Sequence, residues 1–193
     1  MTAHDLLKPP GRYRLKVADY LTLDRSGAFE GMRTELIDGE VIVMNPQTRR
    51  HLFVKSELAY RLRRALEAIG SSLFVAVDGT VELTGNSHSL PEPDIFLTSA
   101  PHGEGFVPVE SVALAVEVAA TSLELDLERK APLYARHGIT EYWVVDVNRG
   151  LIHQMWAPEG EAYRRRQEVA FGQRIDAATI EKLAVETMGL SNN

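Results

Sequence analysis

Cysteine is absent from this chain. That excludes disulfides, thiol nucleophiles and thiolate metal sites, and it leaves oxygen and imidazole as the ligands for any metal. No stretch of about 18 apolar residues occurs, so a membrane-spanning helix is not expected. The opening segment MTAHDLLKPPGRYRLK lacks the apolar centre of a secretory leader, and a cytoplasmic protein is the plain reading. Excess positive charge is missing too: 21 Lys and Arg stand against 27 Asp and Glu, a net charge of −6, without the broad basic footprint usual in a nucleic-acid binder. There is no glycine-rich phosphate loop, nucleophile elbow or HExxH pattern. His88 and His102 fall in loops without metal-ligand spacing.

What remains is ample for a globular fold. The chain has 193 residues, 45% of them hydrophobic, enough for one domain to bury a core without staples. Residues 1–16 mix Pro, Gly and Lys and are expected to form a flexible arm, leaving 17–193 as a single domain. Basic residues gather locally at Arg49 and Arg50, at Arg61, Arg63 and Arg64, and at Arg164 to Arg166. Such clusters suffice for phosphate contacts, although solvated surface is the other reading of each.

Periodicity organises the rest. Residues 17–24 suggest a short helix, ended by turns at Gly27 and Gly31. Asp38-Gly39 between two apolar stretches predicts a hairpin over 35–44. From His51 to Ile69, Val54, Leu58, Leu62, Leu66 and Ile69 recur at helical spacing, and Gly70 stops the run. Strands are expected at 73–77, 80–83, 94–97, 112–118, 141–147, 151–156 and 162–169, with a helix-prone segment at 124–137 and a terminal helix over 176–188. The architecture implied is α/β, a central mixed sheet flanked by helices.

One strand carries a carboxylate where burial should exclude it. Residues 112–118, VALAVEV, read as a strand covered on both faces, and Glu117 lies within it. A buried carboxylate needs a partner or a metal. Asp94 begins the preceding strand directly after Pro93. On neighbouring strands the two carboxylates can converge at one end of the sheet. With the carbonyl of Val118 they would form a hard-oxygen set suited to Mg²⁺ or Mn²⁺, which would activate a water. The structural alternatives are a Pro-Asp turn and a strand-end salt bridge.

The ordered blocks Glu35-Leu36-Ile37-Asp38-Gly39-Glu40, then His51 on the long helix, Pro93-Asp94-Ile95, Glu117-Val118, and Asp126…Lys130…Tyr134…Gly138-Ile139…Glu141-Tyr142-Trp143-Val144-Val145-Asp146 resemble the Uma-type family of the PD-(D/E)xK nuclease superfamily. The resemblance spans about residues 17–157. It implies a restriction-endonuclease-like fold, Mg²⁺-dependent cleavage of phosphodiester bonds, metal-binding carboxylates at Asp94 and Glu117, Glu35 as a third acidic contributor, and Lys130 as the assisting lysine. The sequence departs from the superfamily at Ala119, where the motif has its lysine, and has Ala120 where family members tend to carry serine, with Thr121 and Ser122 as the nearby hydroxyl candidates to substitute. Lys130 has a structural alternative, an ion pair with Asp126 at i, i+4. Pro132 implies either a kinked helix or one that starts near Lys130. Arg49, Arg50 and His51 are candidates for phosphate contact, a structural histidine being the other reading of His51.

The expectation is therefore a DNA endonuclease, with a homodimer as a reasonable assembly. Two others stay open: the same fold kept as a non-catalytic nucleic-acid-binding or interaction module, and a metal-dependent hydrolase of a small phosphorylated compound.

Overall fold

The structure, a computed structural model, describes residues 11–190; the first ten residues of the expected arm lie outside the described residues. After helix α1 (Val17–Arg25) comes a hairpin of β1 (Thr34–Ile37) and β2 (Glu40–Val43). Its turn residues Asp38 and Gly39 have φ of 51° and 78°, the left-handed pair that a tight two-residue hairpin demands. Helix α2 (Arg49–Ala68) follows, its first turn capped by Thr48, whose hydroxyl accepts the His51 N–H at 3.2 Å.

The central sheet has six strands: β3 (Phe74–Val77), β5 (Ile95–Thr98), β7 (Val112–Ala119), β8 (Glu141–Asp146), β9 (Leu151–Glu159) and β10 (Ala162–Ala170). Their order is β10-β9-β8-β7-β5-β3; β7 and β8 run parallel and every other pair is antiparallel. The mixed sheet thus follows expectation, except that residues 81–82 form a small strand, β4 (Val81–Glu82), paired in parallel with β6 (Val107–Pro108) outside it.

Alternation along β7 divides its side chains between two cores. Leu114, Val116 and Val118 face α2, packing with Val54, Leu58, Leu62 and Trp143. Ala115 and Ala119 face the other layer, with Leu133, Tyr134 and Tyr142. Glu117 shares their parity, so its carboxylate points into that second layer.

The second layer is one helical stretch in three pieces: α3 (Leu123–Leu125), a π-helical turn (Asp126–Lys130) and α4 (Ala131–Arg136). This settles how Pro132 is accommodated. In an α-helix its ring would strike the carbonyl four residues back. Here the helix neither stops nor starts anew at Lys130; the wider π turn gives the ring room and Pro132 enters in the first turn of α4.

The expected terminal helix over 176–188 does not form. In its place β11 (Arg174–Asp176) and β12 (Ala184–Glu186) pair antiparallel, Ile175 opposite Val185. Two forces override helix propensity there. Leu183, Val185 and Thr187 are buried at a spacing of two, the period of a strand. The wholly buried Glu141 also captures the intervening loop: its carboxylate accepts Trp143 Nε1 at 2.7 Å, Gln154 Nε2 at 2.6 Å, the Ala178 N–H at 3.0 Å and the Thr179 N–H at 2.9 Å.

Glu141→Ala would strand these donors in a dry site, at about 1–3 kcal/mol for each buried polar group left unpaired. Urea denaturation should show a loss of about 3 kcal/mol or more; a loss under about 1 kcal/mol would mean that the loop is held by its apolar contacts alone.

Candidate active site

At one end of the sheet β5 stops short of β7. The ladder begins with Ile95 opposite Val116, so Val118 extends past the first residue of β5. Asp94 fills the gap with its side chain: Oδ2 accepts the Val118 N–H at 2.9 Å. In a strand the N–H and C=O of one residue face the same neighbour, so the Val118 carbonyl opens on the Asp94 side as well. The other oxygen, Oδ1, lies 3.4 Å from Lys55 Nζ and 3.4 Å from His51 Nε2. Burial pushes the Asp94 carboxyl up, but His51, the Val118 N–H and Lys55 outweigh it and hold it below the usual range.

Glu117 is gripped from the helical layer. Its Oε1 accepts Lys130 Nζ at 2.9 Å and the Tyr134 hydroxyl at 3.0 Å, while Oε2 takes no hydrogen bond among the described residues. Lys130 is itself wholly buried and also donates to Glu35, 2.8 Å from Oε2. Asp126, the structural alternative at i, i+4, is within ion-pair range but farther off, at 4.0 Å. Its Oδ2 accepts the Ser122 hydroxyl at 2.7 Å and its Oδ1 is buried without a partner. Desolvation raises Glu117 well above the ordinary carboxylate range against the pull of Lys130, and it raises Asp126 to about 6. Burial works against the Lys130 ammonium, but Glu117, Glu35 and Asp126 together hold its pKa above the ordinary value.

Glu35, His51, Asp94, Glu117 and Val118 line one cleft of about 250 Å³, together with Arg33, Glu92, Thr121 and Ser122. Five of the sequence candidates therefore meet there, and Lys130 is fastened to Glu117 and Glu35 from the helical layer. Arg49, which is exposed, and Arg50, which is half-buried, start α2 beside the cleft but do not line it. Among the described residues no three His, Asp or Glu side chains are grouped tightly enough to hold a metal by themselves. The donor set is the smaller one: two carboxylates and one carbonyl, with water for the rest. That set suits a hard divalent cation, which keeps several waters. A buried His51 Nε2 without a hydrogen-bond partner, beside Asp94, marks an unfilled polar demand at the same place. The residues fit Mg²⁺ or Mn²⁺ at Asp94 and Glu117.

Sequence reasoning overlooked Lys55, although its signal is present. His51, Lys55, Leu58 and Leu62 fall on one face of α2, so Lys55 belongs to the buried stripe and needs an anion. It finds Asp78, with both carboxylate oxygens at 2.9 Å, and Gln47 Oε1 at 3.1 Å. Tyr134 sits one turn beyond Lys130, on the same face.

A family model described as "Uma2: Putative restriction endonuclease" matches residues 17–187. The chain belongs to the Uma2 family. This Uma2 chain is also similar to a solved structure from Anabaena variabilis ATCC 29413, described as a putative nuclease belonging to DUF820. The two are 12% identical, superpose with a TM-score of 0.70, and align over 92% of this chain and 97% of that one. At that identity the likeness speaks for the fold, which is the restriction-endonuclease-like α/β fold expected. No curated protein matches the Uma2 chain.

Asp126 gives the site a pH signature. Its pKa in the folded protein is raised from 3.8 to about 6, so folding takes up a proton that the unfolded chain releases. That stabilisation is complete below 3.8 and is lost as pH rises through about 6. The thermal midpoint of the metal-free wild type should decline across this window, and Asp126→Asn should remove that component. The same decline in the variant would assign it to another group.

Proposed function

We propose that the protein is a metal-dependent endonuclease that hydrolyses phosphodiester bonds of DNA, with Mg²⁺ or Mn²⁺ held by Asp94, Glu117 and the Val118 carbonyl. The observation that carries this reading is the convergence of Asp94 and Glu117 on one cleft at the same end of two adjacent strands, with Lys130 fastened to Glu117. The description of the family as restriction endonucleases supports it. When bound, a divalent cation supplies Lewis acidity to a phosphoryl oxygen and lowers the pKa of a water to a value usable near neutral pH.

The chain's own residues do the positioning. Asp94 is kept ionised, with one oxygen fixed on the Val118 N–H and the other beside His51 and Lys55. Lys130 and Tyr134 occupy Oε1 of Glu117, which directs Oε2 as the free donor. Because Lys130 has no exposed surface, its role in this reading is to orient Glu117 and balance its charge. Arg33, which lines the cleft and is paired with Asp78 at 2.9 Å, is the cation placed to meet a substrate phosphate. Glu35 acts through Lys130, a positioning residue. A homodimer would supply two such sites for cutting both strands.

The test is titration calorimetry of Mg²⁺ and Mn²⁺ into wild type, Asp94→Asn and Glu117→Gln, followed by plasmid nicking. Wild type should bind and nick. Each variant should lose binding, and nicking should fall on the order of 100-fold or more, the scale of one lost preorganised electrostatic contact. Nicking undiminished in Asp94→Asn would sink the assignment. Absence of both metal binding and cleavage in wild type would favour the non-catalytic module, the reading to which full burial of Lys130 lends weight.

A further inference from the structure

We propose that the outer ridge of α2 is a track for the phosphate backbone of duplex DNA, leading away from the cleft; the proposal rests on the nuclease reading above. α2 carries Arg49, Arg50, Lys55, Arg61, Arg63 and Arg64 against Glu57 and Glu67, a local charge of +4 in a chain of net −6. Two of these cations are committed. Lys55 is buried on Asp78, and Arg61 pairs with Glu57 at 2.8 Å while donating to the Glu186 and Met188 carbonyls. The other four are free: among the described residues no carboxylate comes within salt-bridge distance of Arg49, Arg50, Arg63 or Arg64. Arg50 Nε is, besides, buried without a hydrogen-bond partner.

Helical geometry sets these residues in a line. At about 100° per residue, Arg49, Phe53, Ser56, Tyr60, Arg63 and Arg64 project from one side, opposite the buried Val54, Leu58 and Leu62. Phe53 and Tyr60 are exposed between the cationic ends, and the Arg64 guanidinium donates to the Tyr60 hydroxyl at 3.3 Å. The ridge begins at the end of α2 where Thr48 and His51 line the cleft. Arg49 to Arg63 is 14 residues, about 21 Å of helix. That is close to the rise of six base pairs at about 3.4 Å each. Glu67, one turn beyond Arg63, ends the positive stretch. Two copies of this ridge packed together would set like charges against each other; an anionic polymer meets Arg49, Arg63 and Arg64 along one side, with Arg50 flanking them.

The experiment measures binding of a 20-base-pair duplex by fluorescence anisotropy in EDTA, from 50 to 200 mM salt, for wild type and Arg63→Ala/Arg64→Ala, with Mg²⁺ titration and plasmid nicking alongside. Both substitutions are at exposed positions that do not line the cleft. Each phosphate contact contributes about 0.9 to the slope of log affinity against log salt, so losing two should lower the slope by about 1.8. Affinity should fall while Mg²⁺ binding stays as in wild type. An unchanged slope and affinity in the variant, with wild type still nicking, overturns the track and leaves the nuclease reading intact. A wild type that neither binds Mg²⁺ nor nicks removes that reading, and the track with it. A wild-type dimer that Phe53→Ala/Tyr60→Ala converts to monomer with no change in DNA affinity also overturns the track and gives the ridge to a second copy.

Discussion

A lysine withdrawn completely from water keeps its charge only if anions surround it. Lys130 meets that demand with Glu35 from β1, Glu117 from β7 and, at greater range, Asp126 from the same π turn. Three carboxylates around one ammonium leave surplus negative charge; burial is the main reason Glu117 and Asp126 are raised, and the neighbouring carboxylates add to it. Removing one member of such a buried set costs about 3–5 kcal/mol, because it leaves a charge with nothing to answer it. The cluster therefore fastens the N-terminal hairpin, the central sheet and the helical layer at one point. It also leaves that point hungry for positive charge.

The backbone around this point is irregular where the site needs it. An ideal α-helix through Lys130 would collide with Pro132; the π turn removes the collision and sits where Lys130 is delivered, in keeping with the concentration of such turns at functional sites. On the sheet side β5 begins only at Ile95, one residue after Asp94, so a side-chain carboxylate does the work of a missing strand residue for Val118. Asp94 thus both completes the sheet edge and faces the cleft.

How much could be read beforehand follows from how local each signal is. The strands around Glu117 and Glu141, the Asp-Gly hairpin and α2 are dictated by short-range pattern, and all are present. Glu117 is legible as a carboxylate out of place in an apolar strand, and Asp94 by its position after Pro93 at the start of the neighbouring one. Lys55 was harder, since a lysine on a helix is normally solvated; only its position within the apolar stripe betrays it. The C-terminal hairpin was misread because its helix-forming residues are overruled by Glu141, some forty residues earlier in the chain. Lys130 shows the same limit: the i, i+4 pair with Asp126 offered as its structural alternative is present at 4.0 Å, while the fold brings Glu35 from β1 closer, at 2.8 Å, a contact no local pattern contains.

Ala119 occupies the strand position on the same face as Glu117, and it is packed away with Leu133 and Tyr134. A lysine at that position would be tied to the carboxylate by the fixed pleat of one strand, about 7 Å of rise. Here the lysine arrives from the helical layer, so the spacing between acid and base is a distance between two packed layers. Bond geometry no longer guards it; the packing of α4 does. A cavity opened beneath Leu133 would let the two charges drift apart without altering either charged residue, so in this protein the precision of the site is a property of its core.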